Sequence, residues 1–153
     1  MVRRDKRAGQ RERARRADET AGAATPTRVL LADDDDEMRR ALASALRRDG
    51  YIVMEAKDGN ELLEKINSSQ LCSDTGVPID ALVTDIRMPG RSGIDVLIAV
   101  RNLDPALPVV LITAFGDQET HAEARWMGAD AVLDKPFDVR DLRSALMTLA
   151  PPL

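Results

Sequence analysis

Acidic, hydroxyl and amine side chains fall where short apolar runs end in this chain of 153 residues. Val29-Leu30-Leu31-Ala32 leads into Asp33-Asp34-Asp35-Asp36, and Ala81-Leu82-Val83-Thr84 leads into Asp85. Val109-Val110-Leu111-Ile112 is followed by Thr113-Ala114, and Ala131-Val132-Leu133 by Asp134-Lys135-Pro136. Brought together, Asp33, Asp34 and Asp85 would repel one another, so that at least one takes up a proton or the set recruits a cation. Oxygen ligands with room for water favour a hard ion, Mg²⁺ before Ca²⁺. Lys135 and Thr113 beside that cation complete a site for a phosphoryl group. The two cations offset charge on its oxygens, the hydroxyl donates a hydrogen bond, and a carboxylate is the nucleophile.

These residues converge only if the apolar runs are neighbouring strands. Each run is followed by a segment with helical spacing of apolar residues. Met38, Leu42, Ala45 and Leu46 mark the first helix, which Gly50 stops, and Asp35 and Asp36 suit its N-terminus. Tyr51-Ile52-Val53-Met54 reads as the second strand, with Asp58 capping a helix that carries Leu62, Leu63 and Ile66. Helices are predicted around Ile94 to Val100, from Asp117 to Met127 before Gly128, and from Asp138 to Leu149. Asn67 to Pro78, Ser-rich and holding Cys72, reads as a surface loop. Five strand and helix pairs in strict alternation imply an α/β, doubly wound fold with a parallel sheet and right-handed crossovers. Ligands of such sheets bind at the carboxyl ends of the strands, which is where the candidate residues stand.

Hydrophobic residues at 44% and charged residues at 31% predict one soluble domain, and aromatics at 3% require an aliphatic core. A charged N-terminus and the lack of a long apolar run argue against a membrane segment or a signal peptide, so a cytoplasmic location is expected. Cys72 is the single cysteine, which rules out an intrachain disulfide and a cysteine metal cluster. Residues 1–20 carry eight basic groups against four acidic ones, a net +4, leaving −8 on the rest for a total of −4. The acidic remainder argues against nucleic-acid binding by the globular part. Residues 1–27 have almost no large apolar side chain and are expected to form a disordered basic tail, with the domain over 28–150. His121, alone in a polar helical stretch, reads as an exposed surface residue. No Gly-rich phosphate loop is present to bind a nucleotide.

Val29 to Asp36, Thr84-Asp85-Ile86-Arg87-Met88-Pro89-Gly90, Leu111-Ile112-Thr113-Ala114 and Lys135-Pro136-Phe137 together resemble the signature segments of response-regulator receiver domains of two-component signalling. The resemblance covers about Arg28 to Leu149 and implies a (βα)5 sandwich with strand order 2-1-3-4-5. It implies that Asp85 accepts the phosphoryl group from a sensor histidine kinase or histidine phosphotransfer protein. Mg²⁺ would be bound by Asp34, Asp85 and the backbone carbonyl of Arg87, with Asp33 acting largely through a coordinated water. Thr113 and Lys135 would contact the phosphoryl oxygens, and the Lys135-Pro136 bond would be cis. Such a protein is an acceptor with weak self-dephosphorylation, not an enzyme, and switches contacts with a downstream protein or a second copy of itself. Arg87 and Phe115 would flank the path of the hydrolytic water.

One position departs from the pattern. Three residues before the Lys many receivers carry Tyr or Phe, and here Val132 stands there. Two other readings compete with a phosphoacceptor. A pseudo-receiver would keep the fold as a binding module without the chemistry, which the intact Asp33, Asp34, Asp85, Thr113 and Lys135 argue against. An aspartate-nucleophile phosphatase would use Asp33 and Asp35, two residues apart, but would leave Asp85 without a role and needs room for a cap. Only Ala150-Pro151-Pro152-Leu153 follow Leu149, which leaves open a stand-alone regulator or part of a larger one.

Overall fold

The computed structural model describes residues 26–114 and 118–153. The expected basic tail up to residue 25, Phe115 and the start of a helix at Asp117 lie outside the described residues. Strands β1 (Arg28–Ala32), β2 (Ile52–Ala56), β3 (Ala81–Asp85), β4 (Val109–Thr113) and β5 (Ala131–Asp134) alternate with five helices. These are α1 (Asp36–Arg48), α2 (Gly59–Asn67), α3 (Gly93–Leu103), α4 (Gln118–Trp126) and α5 (Val139–Leu149). All strand pairs are parallel, in the order β2-β1-β3-β4-β5.

The strands read as continuous apolar runs because both sheet faces are covered. Leu30, Leu82, Val109 and Leu111 point to one face, where Leu62 and Ile66 of α2 and Val96, Leu97 and Val100 of α3 pack on them. Val29, Leu31, Val83, Val110 and Ile112 point to the other, against Leu42 and Leu46 of α1 and Leu142 and Leu146 of α5. Chain order reverses between β1 and β3, which are direct neighbours, so Asp33 and Asp85 leave adjacent strands at the switch point of the sheet.

Several boundaries differ from the sequence reading. The second strand starts after Tyr51 and runs on through Glu55 to Ala56. Tyr51 is buried instead and donates from its hydroxyl to the Ala150 carbonyl at 2.9 Å. An edge strand tolerates Glu55 because Arg39 and Arg47 each reach its carboxylate at 3.2 Å. On α1 the buried positions are Arg39, Leu42, Ala43 and Leu46, so the stripe includes Ala43 where Ala45 was expected, and a charged residue among the aliphatic ones. The segment after α2 is more ordered in its contacts than a surface loop: Ser69 is fully buried and pairs with Val77 in an isolated bridge. Thr27 already belongs to the fold, its carbonyl accepting from Ile52 N at 3.0 Å.

At the opposite edge from the candidate site, Arg101 at the end of α3 acts as a buried tie. Its guanidinium donates to the Leu107 carbonyl at 2.6 Å and the Gly128 carbonyl at 2.7 Å, and meets Asp130 Oδ2 at 3.0 Å. Truncating one partner of a buried ion pair also strands the acceptors it served. Arg101→Met, which keeps the apolar stem, should therefore lose about 3 kcal/mol in urea unfolding. A loss within about 0.5 kcal/mol, the scale of an ordinary surface substitution, would show that the tie contributes little.

Candidate functional site

The site is built where β1, β3, β4 and β5 end. Asp33 follows β1, is fully buried, and holds its amide on the Ala56 carbonyl at 3.2 Å. Its Oδ1 accepts from Asp35 N at 2.9 Å, which bends the chain into α1. Asp34 projects into solvent at that bend, while Asp35 caps α1 by accepting from Met38 N at 3.1 Å. The four consecutive acids thus divide: Asp33 and Asp34 face the site, and Asp35 and Asp36 serve the helix as expected.

Asp85 is the last residue of β3 and 4% exposed. Gly93 opens α3 against it; a Cβ there would lie 2.5 Å from the Asp85 carbonyl oxygen, so only glycine lets this helix start so close to the strand end. The Asp85 Oδ1 atom accepts from Arg87 N at 3.3 Å, and Oδ2 accepts from Lys135 Nζ at 2.8 Å. Lys135 also lies 3.4 Å from Asp33 Oδ2. A cis bond joins Lys135 to Pro136. Thr113 ends β4 at 5% exposure, next to the register partner of Asp85, and its carbonyl accepts Lys135 N at 2.7 Å.

One carboxylate oxygen from each of Asp33, Asp34 and Asp85 lies within 4.8 Å of the other two. Hard oxygen donors at this spacing, carrying three negative charges against one ammonium, fit a divalent cation such as Mg²⁺. Burial pushes the Asp33 carboxyl up, reinforced by the nearby Asp85 charge and opposed by the Asp35 amide and Lys135. Burial alone would pull the Lys135 ammonium down. Its hydrogen bond and charge interaction with Asp85, joined by Asp33, outweigh that and hold it above its usual range. Between the loops that follow β1 and β3 an open cavity of about 450 Å³ is lined by Asp34, Ile86, Arg87, Met88, Pro89 and Ser92.

The raised Asp33 carboxyl has a measurable consequence. A group with a folded pKa above its unfolded value of 3.8 binds its proton more tightly in the folded chain. Its charge therefore opposes folding fully above the folded pKa, and the penalty fades as pH falls toward the unfolded value. Without divalent metal, Asp33→Asn should melt above the native protein at about pH 7, with the gap closing toward about pH 4. A lower melting temperature at neutral pH would mean that the pairing with Lys135 outweighs burial.

The structure brings together Asp33, Asp34, Asp85 and Lys135, with Arg87 and Thr113 on their flanks. His121, read as exposed, is instead half-buried, with Nε2 2.7 Å from Asp134 Oδ1, because α4 packs along β5. Val132 is buried in the core where many receivers carry an aromatic ring. The sequence reading missed Arg39, whose guanidinium reaches the backbone of Asp33 at 2.9 Å. Its signal was present: a charge at i, with Leu42, Ala43 and Leu46 at i+3, i+4 and i+7, sits on the buried stripe.

Fold and site together define a receiver domain, and the chain belongs to the response regulator receiver domain family, which it matches over residues 29–147. It is similar to the transcriptional regulatory protein PdtaR of Mycobacterium tuberculosis, 40% identical over 127 residues, covering 82% of this chain and 58% of that regulator. The chain thus spans less than two thirds of that relative's length. Among solved structures, the receiver domain of a Francisella response regulator superposes with a TM-score of 0.72 at 30% identity, covering 82% of this chain and 96% of that one. A response regulator from Burkholderia pseudomallei, solved with a phosphorylated aspartic acid, a calcium ion and citrate, gives a TM-score of 0.66 at 25% identity over 80% of this chain and 67% of that one. Among the described residues, no helix is long and apolar enough to cross a membrane.

Proposed function

We propose that this domain accepts a phosphoryl group on Asp85 from the phosphohistidine of a sensor kinase or phosphotransfer protein, and thereby switches its protein contacts. The observation that carries the reading is the Asp85 carboxylate, buried, 2.8 Å from the Lys135 ammonium and grouped with Asp33 and Asp34. A phosphorylated aspartic acid and a bound divalent ion in the Burkholderia relative support it. A carboxylate oxygen of Asp85 attacks phosphorus, the O–P bond forms as the P–N bond of the donor breaks, and the imidazole leaves with the bonding pair. Asp33, Asp34, Asp85 and the Arg87 carbonyl would hold Mg²⁺, which when bound offsets charge on the phosphoryl oxygens.

Lys135 does the same from the other side. It is held beside Asp85 before transfer and follows the negative charge onto the phosphoryl oxygens afterwards, where the Thr113 hydroxyl donates a hydrogen bond. The cavity along Arg87 to Ser92 admits the donor. The cytoplasm, where such kinases present their phosphohistidine, is the compartment this role requires.

Incubation of the full chain with acetyl phosphate and Mg²⁺, read by intact mass, should add a single phosphoryl group, and EDTA should prevent it. A folded chain that binds Mg²⁺ yet stays unlabelled by acetyl phosphate and by phosphorylated kinases would instead be a phosphorylation-independent binding module.

A further inference from the structure

Asp33 and Asp34 are consecutive, so one peptide plane decides how their carboxylates stand relative to each other. The Asp33 carbonyl lies in that plane. Its direction fixes the ψ of Asp33 and, with it, where Asp34 leaves the chain. The Asp33 side of the plane is secured by its amide on Ala56 and its carboxylate on Asp35 N. Asp34, exposed at the bend, has the plane itself as its anchor.

Arg39 holds that plane. Its Nη1 donates to the Asp33 carbonyl at 2.9 Å, a buried contact, and meets Asp36 Oδ1 at 2.8 Å. Its Nε donates to Glu55 Oε1 at 3.2 Å, while Glu55 Oε2 accepts from Arg47 Nη2 at 3.2 Å. Arg47 Nη2 also donates to the Val53 carbonyl at 2.9 Å. The guanidinium is thus braced from α1 on one side and from β2 on the other, its planar fork set by two carboxylates before it reaches the carbonyl. With 10% of its side chain exposed, Arg39 occupies a place in the α1 stripe where an aliphatic residue would pack without desolvating a charge. The buried contact of this guanidinium to the backbone falls on the carbonyl between two acids.

We propose that Arg39 is a positioning residue for the divalent-cation site: it aims the Asp33–Asp34 pair and so sets cation affinity without touching the ion. The inference rests on the reading that these acids bind Mg²⁺. Groups that orient a ligand from behind typically govern about 10- to 100-fold of metal affinity.

The test is calorimetric titration of the full chain with Mg²⁺ alone, beside thermal melting in EDTA and labelling by acetyl phosphate over a range of Mg²⁺. Arg39→Met should raise the Mg²⁺ dissociation constant about tenfold. The shift should appear in the Mg²⁺ half-saturation of labelling and not in the rate at saturating Mg²⁺, a split that mere loosening of the fold would not give. Arg39→Lys, which keeps the charge but not the fork, should fall between Met and the native protein. Glu55→Gln, which slackens the brace and leaves Arg39 in place, should shift the constant in the same direction by less. Native Mg²⁺ affinity in folded Arg39→Met overturns the inference while leaving the phosphoacceptor reading intact. Should Arg39→Met not fold, native affinity in both Arg39→Lys and Glu55→Gln does so. Absence of Mg²⁺ binding by the native chain overturns the underlying reading itself.

Discussion

The Asp85→Asn protein should stay unlabelled under conditions in which acetyl phosphate and Mg²⁺ label the native chain. Asparagine keeps the shape of the side chain and an oxygen to accept from Arg87 N, but it removes the negative charge that makes a carboxylate oxygen nucleophilic. The fold should survive, because Lys135 retains Asp33 as a partner at 3.4 Å once the 2.8 Å contact to Asp85 is weakened. The expected loss of labelling rate is at least about 1,000-fold, which corresponds to about 4 kcal/mol of barrier. Intact mass reads the loss, and peptide mapping of the native adduct should place the phosphoryl group on the peptide holding Asp85. Equal labelling of the variant would mean that another carboxylate is the acceptor. Slow label mapped to Asp33 or Asp34 would show a neighbouring acid substituting in the same site.

The grouping of the candidate residues was legible in the sequence because each stands at or just after the end of an apolar run of a buried strand. Strand ends are where a parallel sheet exposes backbone to solvent, so Asp33, Asp85, Thr113 and Lys135 announce both their position and their company. What was not legible depended on tertiary contact. Glu55 breaks an apolar run and so hid the last two residues of β2; it pairs with Arg47 and Arg39 of α1, eight and sixteen residues away. Tyr51 has strong strand propensity but leaves the sheet to reach Ala150, a contact across 99 residues. His121 gave no periodic signal, and its meeting with Asp134 follows from where α4 lies on β5. Arg39 was overlooked because a charge is ordinarily assigned to the solvent face, and only the carbonyl it serves explains its burial.

Two adjacent carboxylates should separate cleanly under mutation. Asp34→Ala should weaken Mg²⁺ binding by more than about 100-fold, beyond the range of groups that only orient a ligand. A hard dication loses a charged oxygen donor there, and a methyl group offers nothing in return. The fold should not suffer, because Asp34 is exposed and its removal leaves no cavity. It also relieves repulsion among three acids whose oxygens lie within 4.8 Å, so the metal-free variant should melt no lower than the native chain. Asp35→Ala should behave in the opposite way. Its carboxylate accepts from Met38 N at the start of α1, and loss of such a cap costs about 1 kcal/mol. Its backbone amide, which holds Asp33 Oδ1 at 2.9 Å, is unchanged by the substitution, so Mg²⁺ affinity should stay near native. Calorimetric titration and urea unfolding of the two variants measure both quantities. If Asp34→Ala binds Mg²⁺ as the native chain does, the cation is held without Asp34 and the site must be redrawn around Asp33 and Asp85. If Asp35→Ala loses affinity as strongly as Asp34→Ala, then the order of the whole bend into α1, and not the Asp34 oxygen, governs binding.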